Sequence, residues 1–199
     1  MSTGVVLYIH GQGGSADEAA HYRPLFPECE VIGLDYTAQT PWEAAGEFPG
    51  RFDALCGGRP VILIANSIGA FFAMSALSDK AVTRAYFISP VVDMERLITD
   101  MMSWGGITDD ELHEKKIIET PLGEPLSWEY LTFVREHPLD FRGDIRILYG
   151  GRDEMIARDS VERFAREHGA SLTVMEESVH WFHTYEQLDF LDKWVRENV

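Results

Sequence analysis

Pro60-Val61-Ile62-Leu63-Ile64-Ala65-Asn66-Ser67-Ile68-Gly69-Ala70 decides how the rest of the chain is read. Val61 to Ala65 are five consecutive apolar residues behind the loop signal Gly57-Gly58-Arg59-Pro60. A short unbroken apolar run rich in β-branched residues predicts a strand buried on both faces. After Ser67 the pattern turns small and helix-compatible, from Ile68 through Phe71-Phe72-Ala73 to Leu77. One serine therefore stands at a sharp strand-to-helix turn. Its hydroxyl is held above the sheet end, at the positive end of a helix dipole. Small residues two before and two after it, Ala65 and Gly69, leave room for a tight turn. The peptide N–H of Ile68 points at whatever the serine attacks. The bland alternative is a buried helix with Ser67 as its N-cap.

Working outward, the same strand signature recurs. Val5-Val6-Leu7-Tyr8-Ile9 runs into His10-Gly11-Gln12-Gly13-Gly14, after which Ser15-Ala16-Asp17-Glu18 reads as a capping box opening a helix. The glycine-rich loop lacks the G-x-G-x-x-G spacing and no Gly-Lys-Ser/Thr follows, so a P-loop is excluded. Glu30 to Tyr36 predicts a third strand. Thr40-Pro41-Trp42-Glu43 starts a helix toward Cys56 that Pro49-Gly50 interrupts. Further strands are expected over Arg84–Ile88, Ile145–Tyr149 and Ser171–Met175. Helices are expected over Val161–His168 and in the last stretch carrying Leu188, Leu191, Trp194 and Val195.

Strands alternating with helices predict one domain over 1–199. It is a three-layer α/β/α sandwich around a mostly parallel six-stranded sheet, with right-handed crossovers. Ser67, Asp153 and His180 each fall just past a strand end, where a parallel sheet gathers its active groups. From Asp93 to Asp140 the pattern changes. Met94, Leu97, Ile98, Met101, Met102 and Trp104 recur at helical spacing, Gly105-Gly106 stops that helix, and Thr108 starts another. Pro121, Gly123 and Pro125 break the chain, and Ser127 caps a third helix. Its Trp128, Leu131 and Val134 lie on one face, with Tyr130 and Phe133 on the other. The plain reading is a packed subdomain. The functional reading is a helical lid insertion over 93–140, because Met and Trp suit an adaptable apolar wall.

Ala65-Asn66-Ser67-Ile68-Gly69 resembles the nucleophile elbow G-x-S-x-G of the α/β-hydrolase family, with alanine at the first glycine. His10-Gly-x-Gly-Gly after the first strand resembles that family's oxyanion loop, and Tyr149-Gly150-Gly151-Arg152-Asp153 its acid turn. The order Ser67…Asp153…His180 also matches. The resemblance implies a minimal hydrolase fold lacking the first two strands of the larger one. It implies Ser67 as nucleophile, His180 as base and Asp153 as the carboxylate that orients it. The N–H groups of Gln12 and Ile68 are the implied oxyanion hole. Rivals are Glu154 and Asp93 for the acid and His183 for the base. His10 braces its loop by hydrogen bonds, and His21 has no ligand role. Trp104, Trp128, Tyr130, Phe133 and Trp181 are candidate pocket residues.

Those residues imply acyl transfer from a small-molecule ester or thioester, without metal or organic cofactor. Amidase, peptidase, lactonase and carbon–carbon hydrolase chemistry use the same groups, and a non-catalytic ligand-binding protein is the rival class. A net charge of −16 argues against nucleic acid or an anionic membrane surface as partner. Val5–Ile9 is too short for a signal or spanning segment. Cys29 and Cys56 are expected as reduced thiols, which fits a cytoplasmic protein. Oligomeric state is open.

Overall fold

The computed structural model describes residues 4–120 and 125–198. These divide into two compact units, one of residues 1–92 with 140–199 and one of residues 93–139.

The first unit holds the sheet. Its strands are β1 (Gly4–Ile9), β2 (Cys29–Gly33), β3 (Val61–Asn66), β4 (Arg84–Ile88), β7 (Ile145–Gly150) and β8 (Ser171–Met175), in spatial order β2-β1-β3-β4-β7-β8. Every pairing in this sheet is parallel. Its helices are a 3-10 helix (Ala16–Leu25), α1 (Pro41–Cys56), α2 (Ser67–Ala76), α6 (Arg158–His168) and α7 (Tyr185–Asn198). The apolar runs of β1 and β3 are buried almost throughout, as a parallel sheet covered on both faces requires. Because side chains alternate across a strand, Tyr8, Ile64, Tyr86, Ile88 and Leu148 share one face. They pack there with Tyr22, Leu25, Leu191 and Trp194.

The helix expected after Ser15 is present, as a 3-10 helix; Pro24, near its end, supplies no N–H to an α-helical ladder. Glu18 behaves as a capping-box residue, its carboxylate accepting from the Ser15 N–H at 3.2 Å. Two other local expectations are corrected. The β2 strand stops at Gly33 instead of Tyr36. Tyr36 leaves the ladder to donate its hydroxyl to the His10 carbonyl at 2.8 Å and to stack on the His10 ring. Finally, α1 runs through Pro49-Gly50 unbroken. Ala44, Phe48, Phe52 and Cys56 are buried at intervals of four along it, and packing of that face outweighs the one missing donor. Thr40 caps it as expected, accepting from the Glu43 N–H at 3.3 Å. Cys29 and Cys56 are free thiols.

The second unit contains α3 (Met94–Gly105), α4 (Asp109–Lys115), β5 (Ile117–Ile118), β6 (Leu126–Ser127) and α5 (Trp128–Glu136). Asp93, Thr108 and Ser127 each accept a backbone N–H at the start of their helix. Met94, Ile98 and Met102 form the buried stripe of α3. The pairing of β5 with β6 is antiparallel and only two residues long, too short to leave a sequence signature. Pro121 and Gly123, expected as chain breaks, lie outside the described residues. Among those residues no helix is long and apolar enough to cross a membrane.

Candidate active site

Ser67 opens α2 with φ of 49°, a left-handed backbone that a non-glycine residue adopts only under strain. The turn is possible because Gly69 carries no side chain. A Cβ there would stand 2.1 Å from the His10 carbonyl oxygen. The end of β1 therefore runs hard against the elbow, and the loop His10–Gly14 is held beside Ser67. His10 braces this loop as expected, its Nδ1 donating to the Gly11 carbonyl at 2.8 Å. At the first elbow position Ala65 is wholly buried in β3, so its methyl is accommodated.

Asp153 lies in the turn after β7. Its Oδ1 accepts from the N–H groups of Met155 and Ile156, both at 2.9 Å. Tyr149 pins the same turn by donating its hydroxyl to the Ile156 carbonyl at 2.6 Å. The turn after β7 and the loop after β8 are sewn together. Gly151 N–H donates to Met175 and Arg152 N–H to Ser178. Gly150 allows this approach, since a Cβ there would lie 2.4 Å from the Val179 carbonyl oxygen.

That stitching sets His180 between two partners. Asp153 Oδ2 lies 2.6 Å from His180 Nδ1, and His180 Nε2 lies 2.9 Å from Ser67 Oγ. A carboxylate can only accept, so Nδ1 carries the proton and Nε2 is the acceptor for the serine hydroxyl. The Asp153 side chain is fully buried and that of His180 is one-fifth exposed. The sequence rivals stand elsewhere. Glu154 is exposed, Asp93 caps α3, and His183 turns its Nδ1 to the Trp181 carbonyl at 2.7 Å while stacking on the Trp181 ring. His21 pairs with Asp192 at 2.8 Å.

A cavity of about 830 Å³ opens beside Ser67. Gln12, His180 and Trp181 line it, with Met155, Leu188 and Leu191 among its apolar contributors. Trp104, Trp128, Tyr130 and Phe133 belong to the 93–139 unit. There Trp104 is 58% exposed, Trp128 meets His113 edge-on and Phe133 stacks on His137.

Sequence reading missed the polar side of the cavity. Asn66 Nδ2 donates to the Tyr8 hydroxyl at 2.9 Å, and that hydroxyl donates in turn to Glu18 Oε2. Burial, then the neighbouring Tyr22, raises the Tyr8 phenol far above its usual range, so it remains a donor. Ser89, just past β4, also lines the cavity. Its only sequence signal is its place before Pro90 at a strand end. Among the described residues no group of three or more His, Cys, Asp or Glu side chains is arranged to hold a metal ion.

No protein-family model matches the sequence, and no curated protein matches it. Solved structures do match in fold. Alpha/beta hydrolase domain-containing protein 10 from mouse superposes with a TM-score of 0.80 at 15% identity, over 99% of this chain and 90% of that one. Est1E from Butyrivibrio proteoclasticus gives 0.80 at 15% identity, over 99% and 87%. A monoacylglycerol lipase from Paleococcus ferrophilus gives 0.65 at 14% identity, over 98% and 95%. With a parallel six-stranded sheet, an elbow at the end of β3 and these structural neighbours, the chain has the α/β-hydrolase fold.

Proposed function

We propose that the protein is a serine hydrolase that cleaves a small or medium acyl ester or thioester through an acyl-enzyme. The observation that carries this reading is the hydrogen-bonded line Asp153–His180–Ser67 ending on a serine with left-handed backbone. A serine hydroxyl is a poor nucleophile until a base within hydrogen-bond reach takes its proton. His180 Nε2 stands where it can do so. Asp153 keeps the proton on Nδ1 and stabilises the imidazolium that forms. A protein that only binds a ligand has no use for this alignment.

In the proposed cycle Ser67 Oγ attacks the carbonyl carbon as its proton passes to His180. Negative charge develops on the carbonyl oxygen, and the N–H groups of Gln12 and Ile68 are the proposed donors to it. Ile68 is in the first turn of α2, where N–H groups have no helical acceptor. Each such donor is worth about 100- to 1,000-fold in rate. His180 then protonates the leaving group, and water activated by the same nitrogen releases the acid. The helical insertion over 93–140 is proposed as a lid, a role resting on its aromatic and methionine content. The two free thiols fit a cytoplasmic setting.

A fluorophosphonate probe followed by intact-mass analysis tests the central claim. One adduct on the wild type, absent from Ser67→Ala and His180→Ala, is the expected result. An ester, thioester and amide panel then assigns the leaving group. A folded wild type that takes up no probe and hydrolyses none of the panel would overturn the reading.

A further inference from the structure

Two buried polar atoms on residues that line the cavity beside Ser67 have no hydrogen-bond partner among the described residues. Ser89 is 1% exposed, lines the cavity, and its Oγ is unpaired. Asn66 also lines the cavity. It spends its Nδ2 on Tyr8 and leaves Oδ1 buried and unpaired. A buried polar atom without a partner loses its hydration for nothing, so two on residues lining one cavity call for an occupant.

Their position relative to the nucleophile is set by the sheet. Asn66 immediately precedes Ser67. Asn66 and Ile88 are register partners across β3 and β4, so Ser89 lies one residue beyond, on the adjacent strand end. Neighbouring strands are about 4.8 Å apart, which places both groups within the reach of the first few carbons of an acyl chain on Ser67. Ser89 also shares the strained backbone of Ser67, with φ of 43°. Glycine would meet that backbone demand without strain; what serine adds is the hydroxyl. Strained residues of this kind gather at functional sites.

We propose that Asn66 and Ser89 form an acyl-recognition subsite for acyl groups bearing a hydroxyl close to the carbonyl. The proposal rests on the hydrolase reading and names its substrate class. Asn66 Oδ1 can only accept, whereas Ser89 Oγ–H can donate and accept. A substrate hydroxyl satisfies both, donating to Asn66 and accepting from Ser89. A carboxylate has no proton for Asn66 and meets Asp17 and Glu18 on the same cavity. An ammonium group can donate to Asn66 Oδ1 but offers no acceptor to the Ser89 hydroxyl; Asp17 also lines the cavity, so the amino compound is kept as an arm of the test. Sites built to bind a substrate hydroxyl discriminate strongly against the analogue lacking it.

The test compares kcat/KM for N-acetylcysteamine thioesters of butyryl, 3-hydroxybutyryl and 3-aminobutyryl groups. The wild type is expected to favour the 3-hydroxybutyryl thioester over butyryl about tenfold or more. In Ser89→Ala, and in Ser89→Gly, which suits the backbone, that ratio falls toward one. Binding of the same intact thioesters to Ser67→Ala, followed by calorimetry, reads the subsite without turnover and is expected to show the same order. Equal kcat/KM and equal binding for hydroxy and plain acyl groups would mean that solvent alone pairs these atoms, and would overturn the proposal. Preference for the amino compound, or a ratio that survives both Ser89 variants, would overturn it as well. Unselective hydrolysis removes only this inference. Absence of probe labelling and of hydrolysis removes the hydrolase reading, and the binding order still decides the subsite.

Discussion

Asp153 shows how much depends on single atoms. Its two oxygens do different work: Oδ1 is fixed by two backbone N–H groups and Oδ2 faces His180. Asp153→Asn keeps the shape but offers an amide that cannot hold the imidazole proton on Nδ1 in the same way. Under the proposed mechanism kcat falls about 10,000-fold with little change in KM. Steady-state kinetics on a chromogenic ester, with the fluorophosphonate labelling rate beside it, reads this directly; a labelling rate equal to wild type would remove Asp153 from the mechanism. That Ser67, Asp153 and His180 come together was legible in the sequence, because each follows an apolar run and a parallel sheet collects such positions at one edge. That His180 and not His183 faces Ser67 depends on the loop path after β8, which no local signal fixes. Tyr8, Asn66 and Ser89 were not legible as a group. Their meeting depends on strand register, which spreads them over β1, β3 and the end of β4 with no local motif.

At the scale of elements, the contact between the β1 end and the elbow makes the sharpest claim. A Gly69 methyl would meet the His10 carbonyl at 2.1 Å and the Ile9 carbonyl at 3.0 Å. Both are backbone atoms of a central strand end, and they cannot swing aside as a side chain does. Gly69→Ala is expected to cost about 2–3 kcal/mol of stability and to slow probe labelling, since the displaced loop carries Gln12. Urea unfolding with an unchanged m-value measures the first effect; wild-type stability would show that the loop yields freely. Ala65 makes the opposite case. Its register partners are Ile9 and Phe87, and Ala65→Gly, which restores the usual G-x-S-x-G, is expected to lower stability by about 1–2 kcal/mol through backbone entropy and the loss of a buried methyl. Strand and helix order was readable because apolar runs and caps are local signals. Continuity of α1 through Pro49 was not, since it depends on what Phe48 and Phe52 pack against. The two-residue pairing of β5 and β6 carries no periodicity to read.

For the whole molecule, the burial of phenols and a thiol sets the alkaline limit of the fold. Burial pushes the Cys56 thiol up to about 11, a rise that the Arg59 charge opposes, and the Tyr149 phenol up to about 12. Tyr8, Tyr22 and Tyr36 are raised further, again chiefly by burial. In the unfolded chain these groups release their protons near pH 9–10, while the folded chain holds them. Between those limits the folded state binds more protons than the unfolded state, so stability falls as pH rises. The contribution is complete below about pH 9 and is lost progressively as pH climbs through the folded values. The excess negative charge of the chain, −16 near neutrality, pushes in the same direction through self-repulsion, but salt screens repulsion between exposed charges far more than it affects buried hydroxyls. Urea midpoints at pH 7, 9 and 10.5 in high salt are therefore expected to decline above pH 9. Tyr149→Phe removes one of the responsible protons. It lowers stability at pH 7 by about 1 kcal/mol through loss of the bond to the Ile156 carbonyl, and it makes the decline above pH 9 shallower. The ultraviolet absorbance of tyrosinate gives the companion measurement: the signal of the buried phenols is expected to appear together with loss of helical circular dichroism. Ionisation of those phenols well before the structure is lost would contradict the sheet face described above, where Tyr8 and Tyr22 are buried against the same core.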